Sequence, residues 1–236
     1  MQHIAARERL IFALDVADAV QARRLVDTLG DSVVFYKLGL ELLMGGSYYE
    51  LLEWLVARGK KVFADLKFFD IPATVAGAVR QLAGRGVTFT TVHGNQRIME
   101  AAVAAAGDVR ILAVTVLTSL DRGDLDDLGF QCDVEKLVIS RARRAVAAGC
   151  AGVISSGIEA AAIRRELGAR LLVVTPGIRP VENRPEDDQK RVLTVEGAFA
   201  AGADYIVVGR PIRDAADPQA AAEAIQASIL ASCQPR

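Results

Sequence analysis

The sequence lacks any long apolar run and any large excess of charge. None of its apolar runs approaches the roughly 18 residues that a membrane-spanning helix needs, so we expect no membrane segment. The 28 Lys and Arg residues nearly balance the 29 Asp and Glu residues, which leaves a formal net charge of -1. This balance excludes a generally basic surface for nucleic acid and argues against an acidic, solvating tail. We therefore expect neither a nucleic-acid partner nor a membrane partner.

Cysteine is also scarce. The three cysteines, Cys132, Cys150 and Cys233, lie far apart, and an odd number cannot all pair within the chain. Residues 1–9 contain no apolar segment of the kind found in secretory signals. We therefore expect reduced thiols and a cytoplasmic protein. No Cys-x-x-Cys or His-x-His spacing occurs, so we expect no metal site.

Short apolar runs alternate regularly with helix-like stretches along the chain. Several runs are almost continuously apolar, which is typical of parallel strands buried on both faces. We predict strands at residues 10–16, 33–40, 61–67, 89–93, 111–118, 152–155, 171–175 and 205–209. Between them, apolar residues recur at helical spacing, and most of these stretches end at a glycine, which fits the left-handed residue that follows many helices. Pro72 and the pair Asp217-Pro218 are typical of helix starts.

Eight strand–helix units in strict alternation predict an α/β protein, a (β/α)8 TIM barrel that forms a single domain over residues 1–236. A doubly wound open sheet is the alternative. That fold normally carries a glycine-rich fingerprint after its first strand, whereas residues 15–18 read Asp-Val-Ala-Asp.

Charged residues lie on the first three predicted strands, most of them at or near the C-terminal ends. Asp15 ends the first strand, Lys37 lies on the second, and Asp65 and Lys67 end the third. Barrels of this type carry their active sites at the C-terminal ends of the strands. Asp65 and Lys67 are two residues apart, so both side chains point to the same face of the strand. That face is either the barrel interior or the surface packed against the helices, and burying a charge at either costs free energy. The cluster indicates either a functional site or an ion pair that caps the barrel.

Two further features indicate an anion site. Gly209 and Arg210 end the last strand, where such barrels often bind phosphate, although Arg210 alone also fits a solvated surface arginine. The connections 119–134 and 177–192 are long, and the second holds Arg179 and Gln189, as expected of a flap over an anionic ligand. His93, which ends the fourth predicted strand, fits a core histidine as well as a catalytic one.

Most of these charged residues lie in motifs that resemble the orotidine 5′-phosphate decarboxylase family. The motifs are Ala13-Leu14-Asp15, Lys37-Leu38-Gly39, Asp65-Leu66-Lys67-Phe68-Phe69-Asp70-Ile71-Pro72-Ala73-Thr74-Val75, Val116-Leu117-Thr118-Ser119, Val174-Thr175-Pro176-Gly177-Ile178-Arg179 and Ile206-Val207-Val208-Gly209-Arg210. They extend from the first strand to the eighth and so cover nearly the whole chain. The string D-x-K-x-x-D-I-P-x-T is specific, whereas D-x-K-x-x-D alone also occurs in related sugar-phosphate barrels. The sequence departs from the family at Phe69, where bacterial members often have His.

The resemblance implies decarboxylation of orotidine 5′-phosphate to UMP, as part of pyrimidine biosynthesis, with no cofactor and no metal. Lys67 would donate a proton to C6 of the pyrimidine, within an alternating charged array that also contains Lys37, Asp65 and Asp70. Loss of CO2 leaves a carbanion without π delocalisation, and a fixed ammonium group stabilises such a charge. Flanking carboxylates keep that ammonium protonated. Asp65 would lie near the departing carboxylate and would either repel it or orient Lys67.

The resemblance also implies the remaining contacts. Asp15 and Lys37 would bind the ribose hydroxyls, and Thr118 and Pro176 would lie at the base. The 5′-phosphate would be bound by Arg179, Gln189, Gly209 and Arg210. The implied assembly is a homodimer with composite sites, in which Asp70, Ile71 and Thr74 reach into the partner's site.

Two other functions remain open from the sequence. One is a metal-dependent lyase, decarboxylase or epimerase that acts on sugar phosphates; such relatives typically place Glu near the end of strand two, where this chain has Lys37. The other is a nucleotide-binding barrel without catalysis, for which we would expect an intact phosphate site beside a broken charged array.

Overall fold

A closed parallel barrel forms the centre of the molecule. The computed structural model describes residues 4–179 and 193–233. The strands in these ranges are β1 (Leu10–Ala13), β2 (Phe35–Leu38), β3 (Lys61–Phe68), β4 (Val87–His93), β5 (Arg110–Val114), β6 (Gly152–Ile154), β7 (Leu172–Thr175) and β8 (Tyr205–Val208). Each strand pairs in parallel with the next along the chain, and β8 pairs with β1. The predicted (β/α)8 barrel is therefore confirmed, and the doubly wound open sheet is wrong because the sheet closes on itself.

Helices cover the outside of the barrel. After a short 3₁₀ turn at Ala6–Glu8 they are α1 (Ala19–Leu29), α2 (Leu40–Met44), α3 (Tyr48–Ala57), α4 (Pro72–Arg80), α5 (Gln96–Ala105), α6 (Arg122–Asp127), α7 (Val134–Ala148), α8 (Gly157–Leu167), α9 (Val195–Ala200), α10 (Arg210–Arg213) and α11 (Pro218–Cys233). The predicted starts at Pro72 and Pro218 are confirmed. Gly149 follows α7 with φ 81°, the left-handed conformation that the glycine pattern predicted. None of the helices in the two described ranges is both long and apolar enough to cross a bilayer.

Some strands are shorter than the apolar runs that predicted them. The runs 10–16, 33–40 and 111–118 all continue beyond the observed strands. A strand persists only while a neighbour pairs with it, and β5 ends at Val114, whose partner Ile154 is the last residue of β6. Asp15 and Thr118 therefore lie in the loops that follow β1 and β5. The connection 119–134, predicted as a loop, contains the short helix α6.

The barrel interior is filled unevenly along its axis. Large rings occupy the lower and middle part, where the centroid of Phe89 lies 5.5 Å from that of Phe35 and 5.4 Å from that of Tyr205. Towards the C-terminal ends of the strands, the inward positions hold smaller side chains, such as Ala13, Val114 and Val207. This change in side-chain size leaves room for a cavity at the end of the barrel where the predicted charges gather.

Candidate active site

A cavity of about 420 Å³ opens at the C-terminal end of the barrel. Its floor includes the inward-facing apolar residues of the upper barrel, among them Phe63 and Val207. The charged residues on its wall are Asp15, Lys37, Asp65, Lys67, Arg179, Arg210 and Arg213. The fold therefore collects most of the charges predicted for the site in one place.

Asp65 lies between two ammonium groups. Its Oδ2 atom is 2.8 Å from Nζ of Lys67 and 3.6 Å from Nζ of Lys37. Lys37 also donates to Oδ1 of Asp15 at 2.9 Å, so carboxylates and ammonium groups alternate from Asp15 to Lys67. The side chains of Asp65 and Lys37 are about one-tenth exposed, whereas that of Lys67 is one-third exposed. Lys67 is thus the member of the central trio that is most accessible from the cavity.

The pKa values of the buried members favour their charged forms. Burial by itself raises the pKa of Asp65, but the attraction of Lys37 and Lys67 outweighs it and holds the pKa below its ordinary range. Burial likewise opposes the charge of Lys37, and the attraction of Asp65 and Asp15 raises its pKa above the ordinary value. The two groups remain an ionised pair at neutral pH.

The backbone of β3 bulges where these charges lie. Ala64 pairs with Thr90 and Phe68 with Val92, so four steps along β3 match two steps along β4. Within the bulge Lys67 has φ 48°, and it is the only residue other than glycine with a positive φ among the described residues. Asp65 and Lys67 are in contact, as predicted. The direction of the Lys67 side chain is set by the irregular backbone of the bulge, and not by the regular alternation of a strand.

The residue directly after β2, Gly39, leaves room for the Lys37–Asp15 pair. Gly39 lies so near that a Cβ there would be 3.1 Å from Oδ1 of Asp15 and 3.3 Å from Nζ of Lys37. Only a residue without a side chain leaves the Lys37–Asp15 pair undisturbed.

The residues predicted for the base and the phosphate lie around the same cavity. Thr118, Pro176, Arg179, Gly209 and Arg210 all line it. Arg210 begins α10 instead of ending β8 as predicted. The backbone N–H of Arg179, within the predicted connection 177–192, donates to the carbonyl of Leu193 just after it at 2.9 Å. Gln189 falls within that connection, outside the described residues.

Asp70, Ile71 and Thr74 do not line the cavity of their own chain. All three are exposed, and Oδ1 of Asp70 accepts from the backbone N–H of Ile71 at 2.6 Å. Phe69 and Ile71 are each 66% exposed. Two large apolar side chains therefore flank Asp70 on the surface beside the mouth of the barrel.

Two residues of the site were not predicted from the sequence. Arg213 lines the cavity and donates to the backbone carbonyl of Asp15 at 2.7 Å. The sequence could have indicated Arg213, because it follows Arg210 by three residues on one helix and therefore lies on the same helix face. Thr91 lies behind the array and bonds to both Asp65 and Lys67. Because Thr90 and Thr91 are adjacent in a buried strand, the sequence does not indicate which of the two faces the charges.

Divalent metal ions are disfavoured at the array by its own cations. The carboxylate of Asp65 already has two ammonium groups near it, and these would repel a second cation. Within the described ranges, no group of three or more His, Cys, Asp or Glu side chains is arranged to hold a metal ion.

Comparisons with known proteins agree with this geometry. The family model described as "Orotidine 5′-phosphate decarboxylase / HUMPS family" matches residues 8–225. The chain belongs to this family. It is 65% identical over 226 residues to the orotidine 5′-phosphate decarboxylase of Methylococcus capsulatus, covering 96% of this chain and 93% of that protein. It is 56% identical over 231 residues to the enzyme of that name from Xanthomonas oryzae pv. oryzae, covering 97% and 95%.

A solved structure shares the architecture as well. The crystal structure of orotidine 5′-phosphate decarboxylase from Lactobacillus acidophilus matches with a TM-score of 0.83 and 35% sequence identity, covering 94% of this chain and 99% of that one. The family resemblance predicted from the motifs is thereby confirmed over nearly the whole chain.

Proposed function

We propose that this chain decarboxylates orotidine 5′-phosphate to UMP and CO2. The observation that carries the proposal is the position of Asp65 between Lys37 and Lys67 at the floor of one cavity. Relatives that are 65% and 56% identical carry the name of this activity. Three arginines on the cavity wall fit a phosphorylated substrate.

The chemistry needs a fixed positive charge where the substrate loses CO2. The bond between C6 and the carboxyl carbon breaks, and its electron pair stays on C6. The ammonium group of Lys67 stabilises that charge and then gives its proton to C6, which yields UMP. The amine of Lys67 afterwards takes a proton from solvent. Asp65 holds Lys67 from one side, through the hydrogen bond that Nζ of Lys67 donates to its Oδ2 atom.

The substrate contacts in this proposal are those that the family resemblance implies, and their residues other than Gln189 line the cavity. Asp15 and Lys37 would bind the ribose hydroxyls, and Thr118 and Pro176 would contact the base. Gly209, Arg210, Arg179 and Gln189 would bind the 5′-phosphate. Phosphate binding lies away from C6, and its energy contributes to catalysis if it orders the site.

The active protein is a homodimer in this proposal. Asp70, Ile71 and Thr74 lie on the surface beside their own cavity, and Phe69 and Ile71 expose apolar side chains there. A two-fold contact at this surface would carry Asp70 of each subunit towards the other subunit's array. Asp70 would then complete an alternating set with Lys37, Asp65 and Lys67.

The proposal extends to the whole chain and to its compartment. Residues 1–236 would form a single domain, because the strands close one barrel in chain order. The protein would act in the cytoplasm, because its three cysteines lie far apart in the sequence and an odd number cannot all pair within the chain.

A direct assay tests the reaction. Purified protein is mixed with orotidine 5′-phosphate, and the loss of its absorbance is followed with and without a strong chelator. We expect equal activity in both, because the array stabilises charge without a metal ion. Activity that disappears in chelator and returns with Mg²⁺ would favour the metal-dependent sugar-phosphate chemistry. Tight UMP binding without turnover would favour the non-catalytic barrel.

A further inference from the structure

The bulge in β3 leaves three residues opposite one. Because Ala64 pairs with Thr90 and Phe68 with Val92, residues 65–67 face Thr91 alone. The backbone of β3 cannot continue its regular ladder there, so the N–H of Lys67 needs another acceptor. The hydroxyl of Thr91 supplies it, with Oγ1 at 2.9 Å from that nitrogen.

The same hydroxyl also fixes the carboxylate of Asp65. Thr91 is fully buried, and its Oγ1 donates to Oδ1 of Asp65 at 2.8 Å. The backbone of Lys67 provides the proton of the first bond, so the hydroxyl proton is available for the second. With Oδ1 bound to Thr91, the other oxygen, Oδ2, faces both Lys67 and Lys37.

We propose that Thr91 is a positioning residue for the reaction, because one buried hydroxyl joins the strained backbone of Lys67 to the carboxylate of Asp65. Thr91 is not among the residues that line the cavity. It acts through the two residues that do the chemistry, holding Lys67 in its left-handed conformation and setting the rotation of Asp65. This inference rests on the proposed function for its effect on rate, but its effect on the Lys67 backbone can be measured separately.

Thr90 provides a matched control. It precedes Thr91 on β4, is equally buried, and its hydroxyl donates to the carbonyl of Ala64 at 2.8 Å. Thr90→Val and Thr91→Val therefore each remove one buried hydroxyl from the same strand, and only the second removes contacts to the array.

The experiment measures kcat, KM and UMP inhibition for the wild type, Thr91→Val, Thr91→Ser and Thr90→Val. We expect Thr91→Val to lower kcat by roughly 10²-fold, as for a catalytic group displaced by about 1 Å, while UMP binding stays near the wild-type level. Thr91→Ser keeps the hydroxyl and should retain most of the rate, and Thr90→Val should resemble the wild type. Equal losses of kcat in Thr91→Val and Thr90→Val would overturn the proposal. If Thr91→Val does not fold, Thr91→Ala against Thr91→Ser gives the same comparison.

Hydrogen exchange separates this proposal from the proposed function. The amide of Lys67 should exchange slowly in the wild type, Thr91→Ser and Thr90→Val, and faster in Thr91→Val. This readout does not require turnover, so it stands even if the wild type proves inactive and the proposed function fails. Unchanged exchange of the Lys67 amide in Thr91→Val would show that Thr91 does not hold the bulge, whatever the activity.

Discussion

The ring of Phe69 lies against the imidazole of His93, with centroids 4.5 Å apart and planes inclined by 32°. His93 is the last residue of β4, and Phe69 immediately precedes Asp70. The contact therefore ties the exposed segment that carries Asp70 to the wall of the barrel.

His93 should make stability depend on pH. Burial lowers its pKa below the ordinary value, and the nearby cations of Arg141 and Lys67 lower it further. The folded protein thus favours the neutral imidazole. Its contribution should be fully present above about pH 6.5 and be lost as the pH falls through the lower, folded pKa. Between about pH 7.5 and pH 5, urea unfolding should show a larger loss of stability for the wild type than for His93→Gln. Parallel losses in the two proteins would contradict this assignment.

A mixed dimer should recover activity from two inactive chains. In a dimer of Lys67→Ala with Asp70→Ala, one site carries both lesions. The other takes Lys67 from the Asp70→Ala chain and Asp70 from the Lys67→Ala chain, and is intact. Refolding the two chains together should therefore restore activity that neither homodimer has. If mass measurement confirms the mixed dimer and no activity returns, Asp70 does not complete the partner's site.

Arg210 should act mainly through the phosphate. Arg210→Ala should weaken the binding of orotidine 5′-phosphate and UMP by roughly 1.5–3 kcal/mol, the range for hydrogen bonds to charged groups. The same change should affect turnover of orotidine, which lacks the phosphate, far less. Comparing kcat/KM for the two substrates tests this, and equal losses for both would show that Arg210 has a structural role.

Gly39 should be needed for the geometry of Lys37. Gly39→Ala places a methyl group against the Lys37–Asp15 pair, so Nζ must move by a few tenths of an ångström. We expect kcat to fall by up to about tenfold, since a displacement of 1 Å can cost about 10²-fold. Gly77→Ala in α4 is the control, because apart from the backbone of its own helix the nearest atom to its new methyl group would be Nη2 of Arg80 at 3.9 Å. Equal kcat in Gly39→Ala and the wild type would show that the pair has room to adjust.

The barrel and most of the site were predictable because their signals are local. Each apolar run marked a strand, and the charges at the strand ends converge since parallel strands place their C-terminal ends together. The extent of the strands was less predictable, because β5 stops where its neighbour β6 stops. Helix α6, which follows the N-cap residue Asp121, was not predicted from the sequence. It has only six residues, and its acidic sequence contains too few apolar residues to show helical spacing.

The fine geometry of the array was not predictable for a different reason. The bulge opposite Thr91 depends on how β3 and β4 pair, and the sequence of either strand alone does not set that register. The left-handed conformation of Lys67 follows from the same bulge. The placement of Asp70 depends on a second subunit, so its role remains a prediction.

Lys67→Ala tests the central claim most directly. The variant removes the ammonium group that is proposed to stabilise the C6 carbanion and to protonate it, while Asp15, Arg179 and Arg210 remain to bind the nucleotide. We measure kcat/KM for orotidine 5′-phosphate and the dissociation constant of UMP for the variant and the wild type. Loss of about 10²–10³-fold or more in kcat/KM, with UMP still bound, is the predicted result for a group that acts at the developing charge. A Lys67→Ala protein that retains activity close to that of the wild type would contradict the account.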